Sequence, residues 1–171
     1  MPDVSIRPIT YDDTEKIIKW RNSESVNKRF IYRGMFTKES HENWMKTMVE
    51  TGIVDQFIIV YDQKDVGSVY LRDIDTDKGE AEYGIFIGEE SARGCGVGTS
   101  AAELILNHAF YKRNLNTVFL RVLKDNKGAL RSYEKAGFCP LDREEIIEIE
   151  GAKETVVFMS ISREDFERRQ K

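Results

Sequence analysis

The chain has 171 residues, of which 40% are apolar, and its 26 basic and 30 acidic residues give a net charge of −4. This length and apolar content suit one globular domain with a real core and exclude a disordered composition. The lack of a basic excess argues against a nucleic-acid-binding protein, and so small an acidic surplus favours a cationic ligand only weakly.

The chain shows no sign of export or membrane insertion. Its first residues, MPDVSIRPITYDD, contain no apolar signal core, and nowhere do about 18 apolar residues run together. Cys95 and Cys139 are too few for a disulfide framework and lack zinc-site spacing. We therefore expect a cytoplasmic protein with reduced cysteines, no metal, and neither a nucleic-acid nor a membrane partner.

The first half of the chain predicts a strand, two helices and then three strands. VSIRPIT (4–10) alternates as a strand, and helices are expected over 12–22 and 37–50 from their apolar spacing. Three strand-like runs follow with short polar connections between them, which predicts antiparallel hairpins. Those runs are 56–62, 65–75 and 80–88.

The second half predicts a helix over 98–114, a strand over 117–123 and a helix over 126–138 that Gly137 ends. A closing hairpin is expected from strands 143–151 and 153–162, with 162–171 as a solvated tail of a single domain, 1–171. The order βααβββαβαββ predicts an α/β fold with a mixed, mostly antiparallel sheet and helices on both faces.

A glycine-rich loop, RGCGVGTS (93–100), precedes the central helix. Small residues at a helix start let backbone N–H groups approach an anion, and Arg93 can add a charge-assisted bond. A P-loop would need lysine after the last glycine, where Thr99 stands, and a dinucleotide fingerprint would need G-x-G-x-x-G. The alternative is a tight strand-to-helix turn that binds nothing.

Two motifs in this region resemble those of the GNAT superfamily of N-acetyltransferases. The loop matches R/Q-x-x-G-x-G/A, and DNKGALRSYEKAGF (125–138) matches N-x-x-A-x-x-x-Y-x-x-x-G-F. The motif order and the predicted element order agree with that family over about residues 4–162. Two positions depart from the family pattern: Ala92 stands where relatives often have an aromatic residue, and Cys95 stands where they often have lysine.

The resemblance implies that acetyl-coenzyme A lies in a gap between the fourth and fifth strands. Main-chain groups of the fourth strand would pair with the pantetheine arm, loop amides and two hydroxyls would hold the pyrophosphate, and an asparagine would contact the arm. The cofactor-binding residues are then Phe86, Ile87, Arg93, Gly94, Cys95, Gly96, Val97, Gly98, Thr99, Ser100 and Asn126.

The resemblance also implies direct attack of the amine on the thioester, without an acyl-enzyme. Tyr133 would protonate the departing sulfur, although its helical spacing also fits simple packing. Glu82 would accept the proton of the amine or bind the acceptor, or it is a solvated strand residue. A backbone N–H near Ile87 would meet the oxyanion. Cys95 is interpreted as a spacer rather than a nucleophile.

The segment WRNSESVNKRF (20–30) resembles the W-x-N segment of branches acting on nucleotide-linked amino sugars, polyamines, aminoglycosides and protein N-termini. Trp20, Arg21 and Asn22 are therefore candidate acceptor contacts, together with Glu82. Arg21 would meet a nucleotide phosphate or else form a surface ion pair.

The leading hypothesis is acetyl transfer to a primary amine of a small molecule, namely an amino sugar, free or nucleotide-linked. A polyamine is an alternative, which an acidic trio (Asp73, Asp75 and Asp77) would attract if it is more than a solvated hairpin turn. A protein N-terminal alanine, a non-catalytic acetyl-coenzyme A sensor and a module for another nucleotide also stay open. The resemblance is compatible with a homodimer.

Overall fold

The strand-like segments of the sequence assemble into one seven-stranded sheet. The computed structural model describes residues 2–171. The strands are β1 (Val4–Pro8), β2 (Asp55–Tyr61), β3 (Lys64–Asp75), β4 (Glu80–Ile87), β5 (Thr117–Leu123), β6 (Cys139–Ile149) and β7 (Ala152–Ser162). Their order in the sheet is β1-β2-β3-β4-β5-β7-β6, and every neighbouring pair is antiparallel except β4 and β5.

Helices lie on both faces of this sheet, which confirms the predicted mixed α/β architecture. They are α1 (Thr14–Asn22), α2 (Glu24–Asn27), α3 (Lys38–Trp44), α4 (Val97–Asn107), α5 (Lys127–Ala136) and α6 (Arg163–Arg169). The α3 and α4 helices continue in wider π-helical turns to Val49 and Lys112. None of the helices in residues 2–171 has the length and apolarity that a bilayer crossing requires.

Alternation along the strands sends successive side chains to two separate apolar clusters. On β2, Ile59 packs in the cluster that includes α4, whereas Ile58 packs with α1, α2 and α3. On β4, Tyr83 belongs to the α4 cluster and Phe86 to the other. Glu82, an even number of residues from Phe86, therefore faces the α1–α3 side.

The two parallel strands in the centre of the sheet pair over a short stretch. Glu80–Glu82 pair with Thr117–Phe119, while β4 continues to Ile87 and β5 to Leu123 without further pairing between them. This leaves a gap in the sheet beside the start of α4. A gap of this kind matches the expected place of a cofactor between the fourth and fifth strands.

The expected solvated tail at 162–171 is wrong, because residues 163–169 form α6. The Ser162 hydroxyl accepts from the Asp165 amide at 3.1 Å, and the side chain of Phe166 is only 1% exposed. The Phe166 ring centroid lies 5.3 Å from that of Phe110 on the extension of α4. Residues 163–171 contain one apolar residue, Phe166, so their sequence has no apolar residues at helical spacing from which a packed helix could be predicted.

Phe166→Ala is expected to lower the free energy of unfolding by about 3–5 kcal/mol, because it opens a cavity in a closed part of the core. Chemical denaturation measures the change. The control, Arg168→Ala, removes an exposed side chain of the same helix and should change stability by less than about 0.5 kcal/mol. Equal, small effects of the two substitutions would show that α6 is not anchored through Phe166.

Candidate active site

A cleft of about 910 Å³ opens where β4 and β5 no longer pair. Its walls come from β4, β5, the glycine loop, the start of α4, α5 and the α1–α3 region. The predicted site residues that line it are Arg21, Glu82, Phe86, Ile87, Arg93, Gly94, Gly96, Val97, Gly98, Thr99, Asn126 and Tyr133. Among the described residues, four predicted site residues do not line it, namely Trp20, Asn22, Cys95 and Ser100.

The glycine loop takes a backbone conformation that favours glycine at two positions. Gly94 has a φ of 73° and Gly96, the residue before α4, a φ of 80°. A Cβ at Gly96 would have no heavy atom nearer than 3.8 Å, so the conformation and not crowding requires glycine there. At Gly98 a Cβ would lie 3.2 Å from Ser132 Oγ, which shows how closely α4 approaches α5. The side chain of Cys95 is exposed.

Arg93 ties the loop to the end of β4. Its guanidinium donates to the Ile87 carbonyl from Nε at 3.1 Å and from Nη2 at 2.8 Å, and Nη2 also lies 3.2 Å from Ser25 Oγ on α2. The side chain was expected to contact a phosphate. In this structure its bonds hold the main chain around the gap, and a contact to phosphate stays a prediction.

The main chain of β4 presents only every second residue to the gap. Gly88 donates its N–H to the carbonyl of Val66 on β3 at 2.7 Å. Because antiparallel pairing alternates, the amide of Phe86 also faces β3, whereas that of Ile87 faces the gap. The expected main-chain role therefore suits Ile87 and not Phe86, whose ring packs at 6.2 Å from that of Trp20.

Tyr133 reaches the cleft from α5. Its ring lies edge-on to Tyr83, with centroids 5.7 Å apart, and 6.1 Å from that of Phe138. Burial, with a smaller contribution from Tyr70, raises the pKa of Tyr133 above its ordinary value. The hydroxyl therefore keeps its proton at neutral pH and is available as a donor.

Glu82 is buried and charge-paired, so it is not a solvated strand residue. Its side chain is 8% exposed, and Arg121 donates to Oε1 at 2.8 Å and to Oε2 at 3.3 Å. Arg72, from the strand on the other side of β4, donates to Oε2 as well. An ammonium group would have to compete with a guanidinium for either oxygen.

Trp20 and Asn22 are held by other contacts and do not reach the cleft wall. Trp20 is 3% exposed, donates its indole N–H to Glu89 at 2.8 Å, and lies so close over Gly88 that a Cβ there would meet its ring at 2.2 Å. Asn22 donates to the Phe36 carbonyl at 2.8 Å and accepts from the Phe36 amide at 2.9 Å. These contacts position α1 and the loop before α3.

Arg21 does line the cleft, and the alternative of a surface ion pair is wrong. Its guanidinium carbon lies 3.7 Å from the ring centroid of Phe30 and 4.2 Å from that of Phe36. Its Nε is buried without a hydrogen-bond partner within residues 2–171. Burial lowers the pKa of Arg21, and neighbouring Arg72 lowers it further.

Sequence reasoning missed Tyr70 and His41, which also line the cleft. Tyr70 on β3 lies opposite Gly84 on β4, and its ring covers Gly84. A Cβ at Gly84 would stand 2.3 Å from that ring, so the position requires glycine. His41 is 4% exposed, and its Nδ1 lies 3.0 Å from Thr14 Oγ1. Burial lowers the pKa of His41 and favours the neutral ring. Neither residue belongs to a recognisable motif.

Arg72 and Arg121 were missed as well, although strand pairing carries a signal for them. Arg72 lies directly opposite Glu82 on β3, and Glu82 lies opposite Phe119 on β5, two residues before Arg121. The same face is presented at intervals of two residues. The register hides this signal, because a regular hairpin closed by Asp75 and Glu80 would set Arg72 opposite Tyr83, and only the irregularity between Arg72 and Asp75 brings Arg72 opposite Glu82.

Comparison with known proteins agrees with this geometry. A family model described as an acetyltransferase (GNAT) domain matches residues 3–139. Acetyltransferase PseH of Campylobacter jejuni is 26% identical over 132 residues, which cover 77% of this chain and 80% of that protein. Spermidine N(1)-acetyltransferase of Escherichia coli K12 is 29% identical over 141 residues, covering 79% and 72% of the two chains.

Solved structures share the fold. Spermidine N-acetyltransferase from Vibrio cholerae in complex with CoA and spermine superposes with a TM-score of 0.87 at 22% identity, over 95% of this chain and 97% of that one. The matched family model spans both motifs of the cleft, from the glycine loop to the end of α5. The chain therefore belongs to the GNAT family of acetyltransferases, and it is an acyltransferase.

Proposed function

We propose that this enzyme moves the acetyl group of acetyl-coenzyme A to a primary amine of a small molecule. The observation that carries the proposal is the separation of β4 from β5 beside a glycine loop that opens α4. An unpaired strand edge suits an extended amide-containing arm, and amides at a helix start suit a pyrophosphate. Bound there, acetyl-coenzyme A supplies the activated acetyl group.

Residues around the loop fit the phosphates. The cleft is lined by Gly94, Gly96, Val97, Gly98 and Thr99, which can offer main-chain amides and a hydroxyl, and Arg131 and Lys135 on α5 add positive charge to the lining. Cys95 and Ser100 take part through their main chains at most, since neither lines the cleft.

The pantetheine arm would meet the Ile87 amide and the side chain of Asn126. The Ile87 carbonyl already accepts from Arg93, so the main-chain N–H of Ile87 is the group that remains to bind the arm. Asn126 Oδ1 accepts from the Ala129 amide at 3.3 Å and starts α5. The Asn126 amide nitrogen can still donate into the cleft. This dual use explains an asparagine at that position.

Tyr133 is the proposed proton donor to the departing sulfur. Its hydroxyl is protonated at neutral pH, as that of an ordinary tyrosine is, and its ring is held by edge-on contacts with Tyr83 and Phe138. Departure of a thiolate is easier when a positioned donor supplies its proton. The amine nitrogen attacks the acetyl carbon directly, the C–S bond breaks as the sulfur takes the Tyr133 proton, and the proton that the acylated nitrogen releases returns to the tyrosine through solvent. No nucleophilic side chain is required, and the exposed side chain of Cys95 does not line the cleft.

For the acceptor, an amino sugar, free or nucleotide-linked, leads over a polyamine and a protein N-terminal alanine. Of the acidic trio that would attract a polyamine, none lines the cleft, and the Asp75 carboxylate accepts from the Lys78 amide at 3.0 Å in the β3–β4 turn. A coenzyme A thiol-release assay over amino sugars, polyamines and short peptides tests the acceptor. Tight coenzyme A binding with no turnover on any amine would favour the sensor instead.

Gly96→Val is expected to weaken coenzyme A binding by at least about ten-fold, because a branched side chain disfavours the left-handed backbone that aims the loop amides. Isothermal titration with coenzyme A measures the effect. Gly151→Val is the matched control, since Gly151 has a φ of 82° in the β6–β7 turn and no neighbour within 4 Å of an added Cβ. The control should lose comparable stability and keep its affinity; a normal dissociation constant for Gly96→Val would contradict the phosphate-loop assignment.

Tyr133→Phe is expected to lower kcat by about 10²-fold or more while leaving coenzyme A affinity nearly unchanged, because only the proton donor is removed. Steady-state thiol release and coenzyme A titration measure the two quantities. Tyr111→Phe removes an exposed hydroxyl outside the cleft and serves as the control. Unchanged turnover in Tyr133→Phe would limit that residue to packing.

A further inference from the structure

The cleft carries more positive charge than a coenzyme A site alone explains. Its lining holds one carboxylate, Glu82, against seven basic side chains. Those basic residues are Arg21, Arg29, Arg72, Arg93, Arg121, Arg131 and Lys135. Arg93, Arg131 and Lys135 belong to the glycine loop and α5, where phosphates are expected. Of the other four, Arg29 lies near Arg93, Arg72 and Arg121 bind Glu82 at the last paired position of β4 and β5, and Arg21 lies near Arg72.

Arg72 and Arg121 meet on Glu82 from opposite sides of β4. Arg121 uses Nε and Nη2 on the two carboxylate oxygens, and Arg72 binds Oε2. The Glu82 side chain is 8% exposed, while the side chains of Arg72 and Arg121 are 33% and 31% exposed. A guanidinium has five N–H donors, so each arginine keeps donors that the carboxylate does not use. Two positive charges on one negative charge leave a surplus.

Arg21 adds a third guanidinium without adding a counter-charge. Within residues 2–171 no carboxylate forms an ion pair with it, and its Nε has no hydrogen-bond partner. Phe30 and Phe36 flank it and fix its position. Removing a charge from water without a partner is costly, so such a group in a cleft is expected where a ligand supplies the opposite charge.

We infer that Arg21, Arg72 and Arg121 form a subsite for an anionic group of the acceptor, a phosphate or a carboxylate, and that Glu82 is a positioning residue for Arg72 and Arg121. This inference rests on the proposed acetyl transfer and assigns Glu82 a role other than proton acceptor. Guanidinium groups bind oxyanions through paired N–H bonds. A buried carboxylate that accepts from some N–H groups of each guanidinium fixes the orientation of the N–H groups that remain free. A polyamine would place positive charge against positive charge here.

Binding to coenzyme A-saturated protein tests the subsite, because saturation removes the cofactor phosphate site from competition. Uridine diphosphate, glucosamine 6-phosphate, glutamate and spermidine are titrated by calorimetry. We expect at least one of the three anions to bind and spermidine not to bind; the preferred anion distinguishes phosphate from carboxylate. No anion binding, or spermidine binding better than every anion, would overturn the inference.

Arginine variants then locate the binding. Arg72→Met and Arg121→Met should each raise the dissociation constant of the bound anion by about ten-fold or more, a loss typical of one charged bidentate partner. Arg168→Met, an exposed arginine paired with Asp165 on α6, is the matched control and should bind as the wild type does. If Arg121→Met does not fold, Arg121→Lys replaces it, because lysine keeps the charge but loses the paired N–H donors. Wild-type affinity for the anion in both Arg121→Lys and Arg72→Met would refute the subsite.

Glu82→Gln separates positioning from proton transfer. If Glu82 positions the arginines, the variant raises KM for the anionic amine while kcat and the acidic limb of its pH profile persist. Loss of that limb with KM unchanged would make Glu82 the proton acceptor and overturn the assignment. Coenzyme A titration into the wild type distinguishes failure of the subsite from failure of the proposed function. Normal coenzyme A binding without anion preference refutes the subsite alone. An absence of coenzyme A binding refutes the proposed function.

Discussion

The separation of β4 from β5 after three paired residues is the constraint on which the site depends. Parallel strands that part leave main-chain N–H and C=O groups without a ladder partner, and such groups must find one elsewhere. Arg93 satisfies the Ile87 carbonyl from the glycine loop and at the same time holds that loop at the gap. The break in the sheet therefore produces both the cleft and the polar surface that lines it.

Because side chains alternate along β4, the gap is reached from two faces of one sheet. Tyr133 approaches on the α4 side, where it packs with Tyr83. Arg21 approaches on the α1–α3 side near Phe86, and Tyr70 lies over Gly84 on that same side. Two reactants held on opposite faces would thus meet across a single strand, which suits direct transfer without a covalent intermediate on the protein.

Local rules made much of this predictable from sequence, and non-local contacts account for what was missed. Left-handed glycines and the Asn126 cap depend on a few adjacent residues, so both motifs and the element order, apart from α2 and α6, could be predicted from the sequence. Glu82 is different, because its partners Arg72 and Arg121 lie 10 and 39 residues away in the chain. Trp20 likewise resembled an acceptor contact until its packing over Gly88 was visible. Single-residue anchors such as Phe166 leave no pattern at all.

Family membership fixes the reaction more firmly than the acceptor. Acetyltransferase PseH and spermidine N(1)-acetyltransferase match this chain at 26% and 29% identity over similar lengths, so overall likeness favours neither acceptor chemistry. Under the anion subsite inferred above, Arg72 and Arg121 on one carboxylate, with Arg21 nearby and without a counter-charge, would disfavour a polycation, because Coulomb energies grow as water is excluded. On this proposal, a shared scaffold supplies the cofactor gap, while a few long side chains on β3, β5 and α1 would determine which amine can approach it.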